Sequence, residues 1–359
     1  MTSLPEFREW YRGKHVLVTG GLGFIGSNLA LALCRLGAHV TVADSSVPGC
    51  GANPFNLGAD ESRIALVQGD IGDAELMAEP LRQADVVFNL AGEVSHTHSM
   101  LFPERDLRIN TIAHLRFLEA CSRHAPGRRV VYAGTRQVYG APLQLPVDES
   151  HPVQPVDYNG VHKHAAENYH LLLTRIGQID GMVLRLTNIY GPRMAIGLPC
   201  QGFLPAFFRR ALEGNPIRVF GDGAQLRDPL FVDDVCESFL RAGAVVNPRR
   251  RTINIGSKAS CSLLEIAAEI SRQADLPGPE TQPFPPARGK IDIGSYCSSE
   301  TLSVATLGWR AHTSLAEGVR LTLDYYRAHH AEYLAVWGEL AGCPLDHVVR
   351  APAAALALQ

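Results

Sequence analysis

Residues 16–26 read VLVTGGLGFIG. The segment 15–19, HVLVT, carries the near-continuous apolar and β-branched character of a parallel strand covered on both faces. Gly20, Gly23 and Gly26 follow where that strand must turn at once into a helix. In such a crossover one glycine permits the tight turn, one lets a pyrophosphate approach the backbone amides, and one lets helix and strand pack closely. The helix opening at Phe24 and Ile25 would aim its unpaired N–H groups and the positive end of its dipole at the phosphates. Helix 24–35 leads to a second apolar strand, 39–43, which ends in Asp44. An acid about twenty residues beyond the glycine turn accepts hydrogen bonds from an adenosine ribose. Asp-Ser-Ser-Val at 44–47 offers no arginine for a 2′-phosphate, so the expected cofactor is NAD rather than NADP.

The bulk composition narrows the class of function. At 359 residues the chain exceeds the usual size of one domain, so a large domain with a smaller lobe is expected. Its 33 basic and 36 acidic residues lack the electrostatic footprint of a nucleic-acid binder. Eight cysteines at 34, 50, 121, 200, 236, 261, 297 and 343 show no Cys-x-x-Cys pair, which suits reduced, packed thiols and a cytoplasmic location. The opening MTSLPEFREWYRGKH is too charged for a secretory leader, and no run of eighteen apolar residues is present to span a membrane. The closing stretch 346–359 is expected to be a frayed tail.

Alternating strand and helix patterns continue past Asp44. Strand 64–68 ends in Gly69-Asp70-Ile71, and strand 86–90 ends at Leu90 followed by Ala91-Gly92. The expected fold is therefore α/β, a Rossmann doubly wound parallel sheet with a smaller C-terminal substrate-binding lobe. Ligands of such a sheet sit beyond the carboxyl ends of its strands, which places Asp70 and Ile71 at the adenine and Leu90, Ala91 and Gly92 at the cofactor's middle. Helix 106–124 carries an apolar stripe of Leu107, Ile109, Ile112, Leu115, Leu118 and Cys121, with Asn110 off it, either tying backbone together beside the cofactor or solvated. Strand 129–133 runs into Gly-Thr-Arg-Gln-Val-Tyr-Gly at 134–140, and a Pro-rich surface loop spans 142–155. Helix 157–176 follows, with Asp157 as its N-cap, and then strand 181–186. Beyond it the rhythm loosens. The expected division is 1–186 for the dinucleotide-binding domain and 187–345 for a lobe interleaved with the last strands, leaving a cleft between them.

TGGLGFIG, NLAG, VVYAGTRQVYG, LRLTNIYGPR, FGDGAQLRD, VDDV and INIGS together resemble the extended short-chain dehydrogenase/reductase family, in particular its NAD-dependent nucleotide-sugar epimerases and dehydratases. The resemblance runs from about residue 14 to about residue 327. It implies an NAD that removes a hydride from a sugar carbon and later returns it. It further implies a Ser or Thr that holds the reacting hydroxyl, here Thr135, and a Lys that binds the nicotinamide ribose, here Lys163. A tyrosine four residues before that lysine would be the base. A phenol made acidic by a neighbouring ammonium suits the removal of a hydroxyl proton.

Position 159 departs from the pattern: it is Asn159, and the tyrosine, Tyr158, stands one residue earlier. Residues four apart on a helix share a face, whereas residues five apart diverge by about 140°. Three accounts stay open at this point. Asn159 holds the sugar hydroxyl without taking its proton; Tyr158 reaches in from an irregular helix entry; or the base is elsewhere, among Glu93, His96, His98 and His162. No third ligand at metal spacing accompanies the paired histidines, so no metal is expected.

For the substrate, the resemblance assigns Asn188, Arg227 and Arg288 to a sugar nucleotide's diphosphate, with Glu93, Arg136 and Gln137 near the sugar. The family's 4,6-dehydratases carry an Asp-Glu pair where Arg136-Gln137 stands, so elimination lacks its acid and base. The function expected is a 4-epimerase passing through a 4-keto sugar. A decarboxylase or dehydratase of the same family, or an NAD-binding sensor without chemistry, are the alternatives, and a homodimer built on the helices beginning near 106 and 157 is implied.

Overall fold

The structure is a computed structural model that describes residues 5–198, 201–257, 259–284 and 291–334. Arg288 and the 346–359 tail lie outside the described residues.

A short helix α1 (Pro5–Tyr11) precedes strand β1 (His15–Thr19), helix α2 (Phe24–Arg35) and strand β2 (His39–Asp44). Strand β3 (Ile64–Gln68), helix α3 (Ala74–Gln83) and strand β4 (Val86–Asn89) continue the alternation. Seven parallel strands form the central sheet in the order Thr252–Ile255, β6 (Asp180–Leu186), β5 (Arg129–Thr135), β4, β1, β2, β3. From β1 the chain winds one way through β2 and β3, and from β4 it winds the other way. The crevice at the carboxyl ends of β1 and β4 is thus the switch point where doubly wound sheets bind ligands.

Period-two alternation decides which face each strand residue serves. Val16, Val18, Phe88 and Val131 pack on one side with Leu29 and Leu33 of α2 and with Phe239 and Trp309. Leu17, Val87 and Val130 pack on the other with Met77, Leu81, Phe117 and Leu118. Both faces are covered, which is why the strands read as continuous apolar runs. A second apolar cluster of Tyr190, Phe207, Phe208, Ile217, Val219, Ile266, Ile270, Leu323 and Tyr326 forms the core of the later segments.

Two sequence expectations change. Helix 106–124 is not continuous: α4 (His96–Leu101) and α5 (Pro103–Leu107) lead into a π-helical turn at Arg108–Ile112, and only then does α6 (Ala113–His124) begin. The wide turn inserts a residue into the helical phase and rotates the stripe. Leu107, Ile112 and Leu115 are consequently 37% exposed, while Asn110 is fully buried and Phe117 takes a core position. The 142–155 segment is no simple surface loop, because Val147 is fully buried, its N–H donates to Cys297 O at 2.8 Å, and Asn254 Nδ2 donates to its carbonyl at 3.1 Å. Helix α7 (Tyr158–Arg175) starts where the N-cap signal places it, with Asp157 Oδ1 accepting from Gly160 N at 2.7 Å.

Candidate active site

A cleft of ≈ 600 Å³ opens at the switch point and continues along later segments of the chain, including residues 201–210 and 225–227. Its floor is the glycine turn. Gly20 has φ +66°, and a Cβ there would sit 2.8 Å from Leu90 O; one on Gly26 would strike Gly20 O. Side chains are excluded so that the strands, the helix and a ligand can approach closely. Gly23 caps α2 without any side-chain bond, and the first turn carries no acid, so its N–H groups remain for an anion. Phe24, Ile25, Asp70, Ile71, Leu90, Ala91 and Gly92 also line the cleft.

Asp44 ends β2 on the cleft wall, buried, and its carboxylate accepts from Leu22 N at 3.0 Å and Ser46 N at 2.8 Å. Burial raises its pKa, against the pull of those two bonds. Thr19 Oγ1 accepts from Leu90 N at 3.1 Å and Ala91 N at 3.2 Å and donates to Asn89 Oδ1 at 2.8 Å, which locks the β1 and β4 ends together. Asn110 is not on the wall. It ties the loop after β4 by accepting from Glu93 N at 3.1 Å and donating to Glu93 O at 3.0 Å, a structural latch beside the cofactor crevice.

Thr135, Arg136, Gln137, Asn159 and Lys163 are brought together on the inner wall. Thr135 ends β5, and its Oγ1 accepts from Gln137 N at 3.2 Å, leaving the hydroxyl proton free to donate. Lys163 is buried with Nζ 5.0 Å above the Tyr132 ring, and burial lowers its pKa to about 8, partly offset by the Asp106 charge. Asn159 Nδ2 donates to Glu93 O at 2.8 Å and to Asp106 Oδ2 at 3.0 Å. Both partners are acceptors, so the amide orientation is fixed and nothing about the group can take a proton.

Tyr158 does not reach in. Its ring is 44% exposed, stacks on His162 with centroids 6.0 Å apart, and lies off the cleft wall. The helix starts regularly at this point, so the geometry of residues five apart holds. Glu93 is also off the wall, buried against His98 Nδ1 at 3.3 Å and Arg105 Nε at 3.4 Å. His162 is buried on Asp106 Oδ1 at 2.7 Å.

Farther along, Asn188 and Arg227 line the same cleft, and Asn188 Oδ1 accepts from Arg136 Nη2 at 3.2 Å. Arg136 and Arg227 are nine-tenths buried, and Arg227 donates to Leu226 O at 2.8 Å, Gly294 O at 2.6 Å and Gln225 Oε1 at 3.2 Å, with Asp292 at 3.8 Å; among the described residues Arg136 Nη1 and Arg227 Nε still have no hydrogen-bond partner. Burial lowers the pKa of Arg227 to about 10, and the neighbouring Arg136 charge adds to that. Asp292 and Asp228 offset part of this paired positive charge, and the two remaining N–H groups suit a bound anion. Arg210, Arg218 and Gln225 join this end of the wall. Gln225 stands inside the FGDGAQLRD stretch, whereas no local motif marks Arg210 or Arg218 in the sequence.

Residues 16–256 match the NAD dependent epimerase/dehydratase family. The chain belongs to this family. As a member of the NAD-dependent epimerase/dehydratase family it is an enzyme, and its cofactor is NAD. The chain is 32% identical over 315 residues to the UDP-glucose 4-epimerase of Mycolicibacterium smegmatis, covering 87% of this chain and 98% of the relative. Among solved structures it resembles UDP-glucose 4-epimerase from Thermotoga maritima with UDP-glucose, at TM-score 0.80 and 28% identity, covering 88% and 99% of the two chains. It also resembles the Thermus thermophilus UDP-glucose 4-epimerase complex with NAD, at TM-score 0.76 and 28% identity, covering 87% and 98%. The residues present fit the family's cofactor: the glycine floor, the uncapped helix end and the Asp44 carboxylate supply what a dinucleotide's pyrophosphate and ribose require.

Proposed function

We propose that the protein is an NAD-dependent 4-epimerase of a nucleotide-activated sugar. The observation that carries this is the paired unspent N–H groups of Arg136 and Arg227 in the same cleft as Thr135 and Lys163. NAD held in this cleft would supply a hydride acceptor for the sugar carbon and, once reduced, the donor that restores it.

The chain's own residues hold the reactants. Asp44 takes the adenosine ribose hydroxyls, and Gly20, Gly23 and Gly26 admit the pyrophosphate to the α2 amides. Lys163 binds the nicotinamide ribose and adds positive charge where an alkoxide develops. Thr135 donates to the reacting oxygen. Arg227 and Asn188 take the diphosphate, so that the sugar ring lies between them and the nicotinamide end. Arg136 and Gln137 cannot serve as the acid and base of a dehydration, because neither gives or takes a proton at neutral pH.

Arg136 Nη1 also favours a second reading, in which the sugar carries a carboxylate and the reaction is uronate epimerisation or decarboxylation. Incubation with UDP-hexoses, UDP-uronates and dTDP-hexoses, with products separated by chromatography, tests both. Interconversion of 4-epimers supports the first reading, release of carbon dioxide supports decarboxylation, and no turnover of any sugar leaves an NAD-binding protein without this chemistry.

Our domain assignment places a lobe from residue 187 onward interleaved with the last sheet strand: the separate apolar cluster of the later segments supports the lobe, while Thr252–Ile255, Phe239 and Trp309 belong to the first domain's sheet and core. We also propose a homodimer, since Leu107, Ile112, Leu115, Val161 and Leu172 are 37–48% exposed on neighbouring helices that an equivalent surface would cover. Light scattering of the purified protein at twice the chain mass tests it. A cytoplasmic location is supported by the free thiols of the six cysteines among the described residues.

A further inference from the structure

A hydroxyl carbon gives up hydride only if the oxygen's proton leaves as well, and the residue four before Lys163 is an asparagine. Tyr158, Glu93, His98 and His162 lie off the cleft wall. His96 lies on it.

His96 opens helix α4, whose entry is fixed by Ser95 Oγ accepting from His98 N at 3.1 Å. Its Nδ1 stands 2.9 Å from Asp157 Oδ2, and the Asp157 side chain is 1% exposed. That carboxylate is held from three sides: His96 at Oδ2, Gln137 Nε2 at Oδ2 at 3.2 Å, and the first turn of α7 through Gly160 N at Oδ1 at 2.7 Å. Burial works against its charge, but those hydrogen bonds prevail and hold its pKa below the usual carboxylate value. An ionised, immobile acceptor at Nδ1 selects the tautomer with hydrogen on Nδ1 and the lone pair on Nε2. Gln137 also links this pair to the reacting centre, since its backbone N–H donates to Thr135 Oγ1 at 3.2 Å and its side-chain Nε2 donates to Asp157 Oδ2 at 3.2 Å.

We propose that His96 is the acid–base residue of this site and that Asp157 positions it. The proposal rests on the epimerase reading. In the oxidising half, the sugar O–H bond breaks and its proton passes to His96 Nε2. The C–H electron pair departs as hydride to the nicotinamide, and the carbon becomes a ketone carbon. In the reducing half the hydride returns to the opposite face, and His96 gives its proton back to the carbonyl oxygen. The cycle balances with NAD regenerated and consumes nothing else. Asp157 stabilises the imidazolium that exists between the halves, as a buried carboxylate does for a catalytic histidine elsewhere. The family's tyrosine would have risen from the first turn of α7. Here the same turn supplies, through its N-cap, the carboxylate that orients an imidazole from α4.

The variants His96→Ala and Asp157→Asn test the assignment in the NAD-loaded protein, with turnover of whichever nucleotide sugar the wild type epimerises. Asparagine is as good an N-cap as aspartate, so the second variant keeps α7 while removing the charge. His96→Ala is expected to lower kcat by roughly 10²–10⁴-fold, with bound NAD unchanged and the melting temperature somewhat lower for loss of one partner of the buried carboxylate, and added imidazole is expected to restore part of the rate. Asp157→Asn is expected to lower kcat with little change in KM. In ¹⁵N-histidine spectra of the wild type, His96 is expected as the Nδ1–H tautomer, and that signature should be lost in Asp157→Asn. Wild-type kcat in His96→Ala overturns the proposal. So does an Nε2–H tautomer in the wild type. If the wild type itself epimerises no sugar, the epimerase reading fails and takes this proposal with it, an outcome distinct from an active wild type beside an equally active His96→Ala.

Discussion

Asn159 Nδ2 lies 3.0 Å from Asp106 Oδ2, and the other oxygen of that buried carboxylate holds His162 Nδ1 at 2.7 Å. Asn159 is therefore built into the packing between α5 and α7 and is not a tyrosine slot waiting to be refilled. Asn159→Ala should destabilise the protein by about 1–3 kcal/mol, since it leaves Glu93 O and the Asp106 oxygen short of a buried donor. Asn159→Tyr should destabilise at least as much and should not raise kcat, because a phenol offers one donor for two acceptors and needs more room. Urea denaturation together with turnover measures both. Tyr158→Phe, by contrast, should leave activity within about twofold, as Tyr158 is 44% exposed and is not among the described residues that line the cleft.

Asp44 is expected to set the choice of dinucleotide. Its carboxylate already orders Leu22 N and Ser46 N, and its remaining lone pairs are the acceptors for the adenosine ribose. A hydrogen bond to a charged group contributes about 1.5–3 kcal/mol. Asp44→Asn should therefore weaken NAD binding by roughly 10- to 100-fold while the NADP affinity, which the negative charge suppresses, falls less or rises. Calorimetric titration of the apo protein with each dinucleotide gives the ratio. Because burial raises the Asp44 pKa, NAD affinity should also decline on acidification sooner than an exposed aspartate would cause.

Arg227 should matter for both stability and binding. Burial and the neighbouring Arg136 charge work against its guanidinium, while bonds to Leu226 O, Gly294 O and Gln225 Oε1 and the Asp292 carboxylate at 3.8 Å hold it in the folded protein. Arg227→Met should lower the melting temperature of the apo protein, because those buried acceptors lose their donor, and should raise KM for a nucleotide sugar by roughly 10- to 100-fold. A free nucleoside diphosphate should raise the melting temperature of the wild type, and of Arg227→Met much less.

The parts of this molecule that could be read from the sequence are those in which function depends on local chemistry. Gly20, Gly26 and Asp44 lie within one strand–turn–helix–strand unit, and each is required there by sterics or charge that no distant residue alters. Asp157 was legible as an N-cap for the same reason. The π-helical turn at Arg108–Ile112 was not, since one extra residue in the phase leaves every periodicity argument intact on either side of it. The His96–Asp157 contact joins residues on two helices far apart in the chain, and their pairing follows from how α4 packs on α7. His96 could be placed among several possible bases, but only the fold removes the others. For Arg288, a sequence candidate, the described residues give no position.

The polar cluster behind Lys163 sets an acid limit on stability. Asn89 Nδ2 donates to His114 Nδ1 at 3.0 Å and to His170 Nε2 at 3.1 Å, while His170 Nδ1 donates to Ala166 O at 2.8 Å and its ring stacks on Tyr132. Both histidines must be neutral to accept those bonds. Burial, with the Lys163 charge adding to it, lowers the His170 pKa from 6.5 to about 4 despite the Ala166 carbonyl, and burial lowers that of His114 as well. Between those two values the unfolded chain takes up a proton that the folded chain refuses, so stability is lost as pH falls from about 6.5 towards 4, and nothing is lost above that window. For His170 alone the loss on completing the fall is on the order of 3 kcal/mol. His170→Gln keeps an acceptor for Asn89 but cannot titrate. Its urea midpoint should sit close to the wild type's below about pH 5 and fall behind it near pH 7, where the neutral imidazole packs better. The difference between the two proteins as a function of pH isolates this histidine from the carboxylates that titrate in the same range, and a difference that stays flat from pH 7 to pH 4.5 would mean that His170 is protonated in the folded state as readily as in the unfolded one.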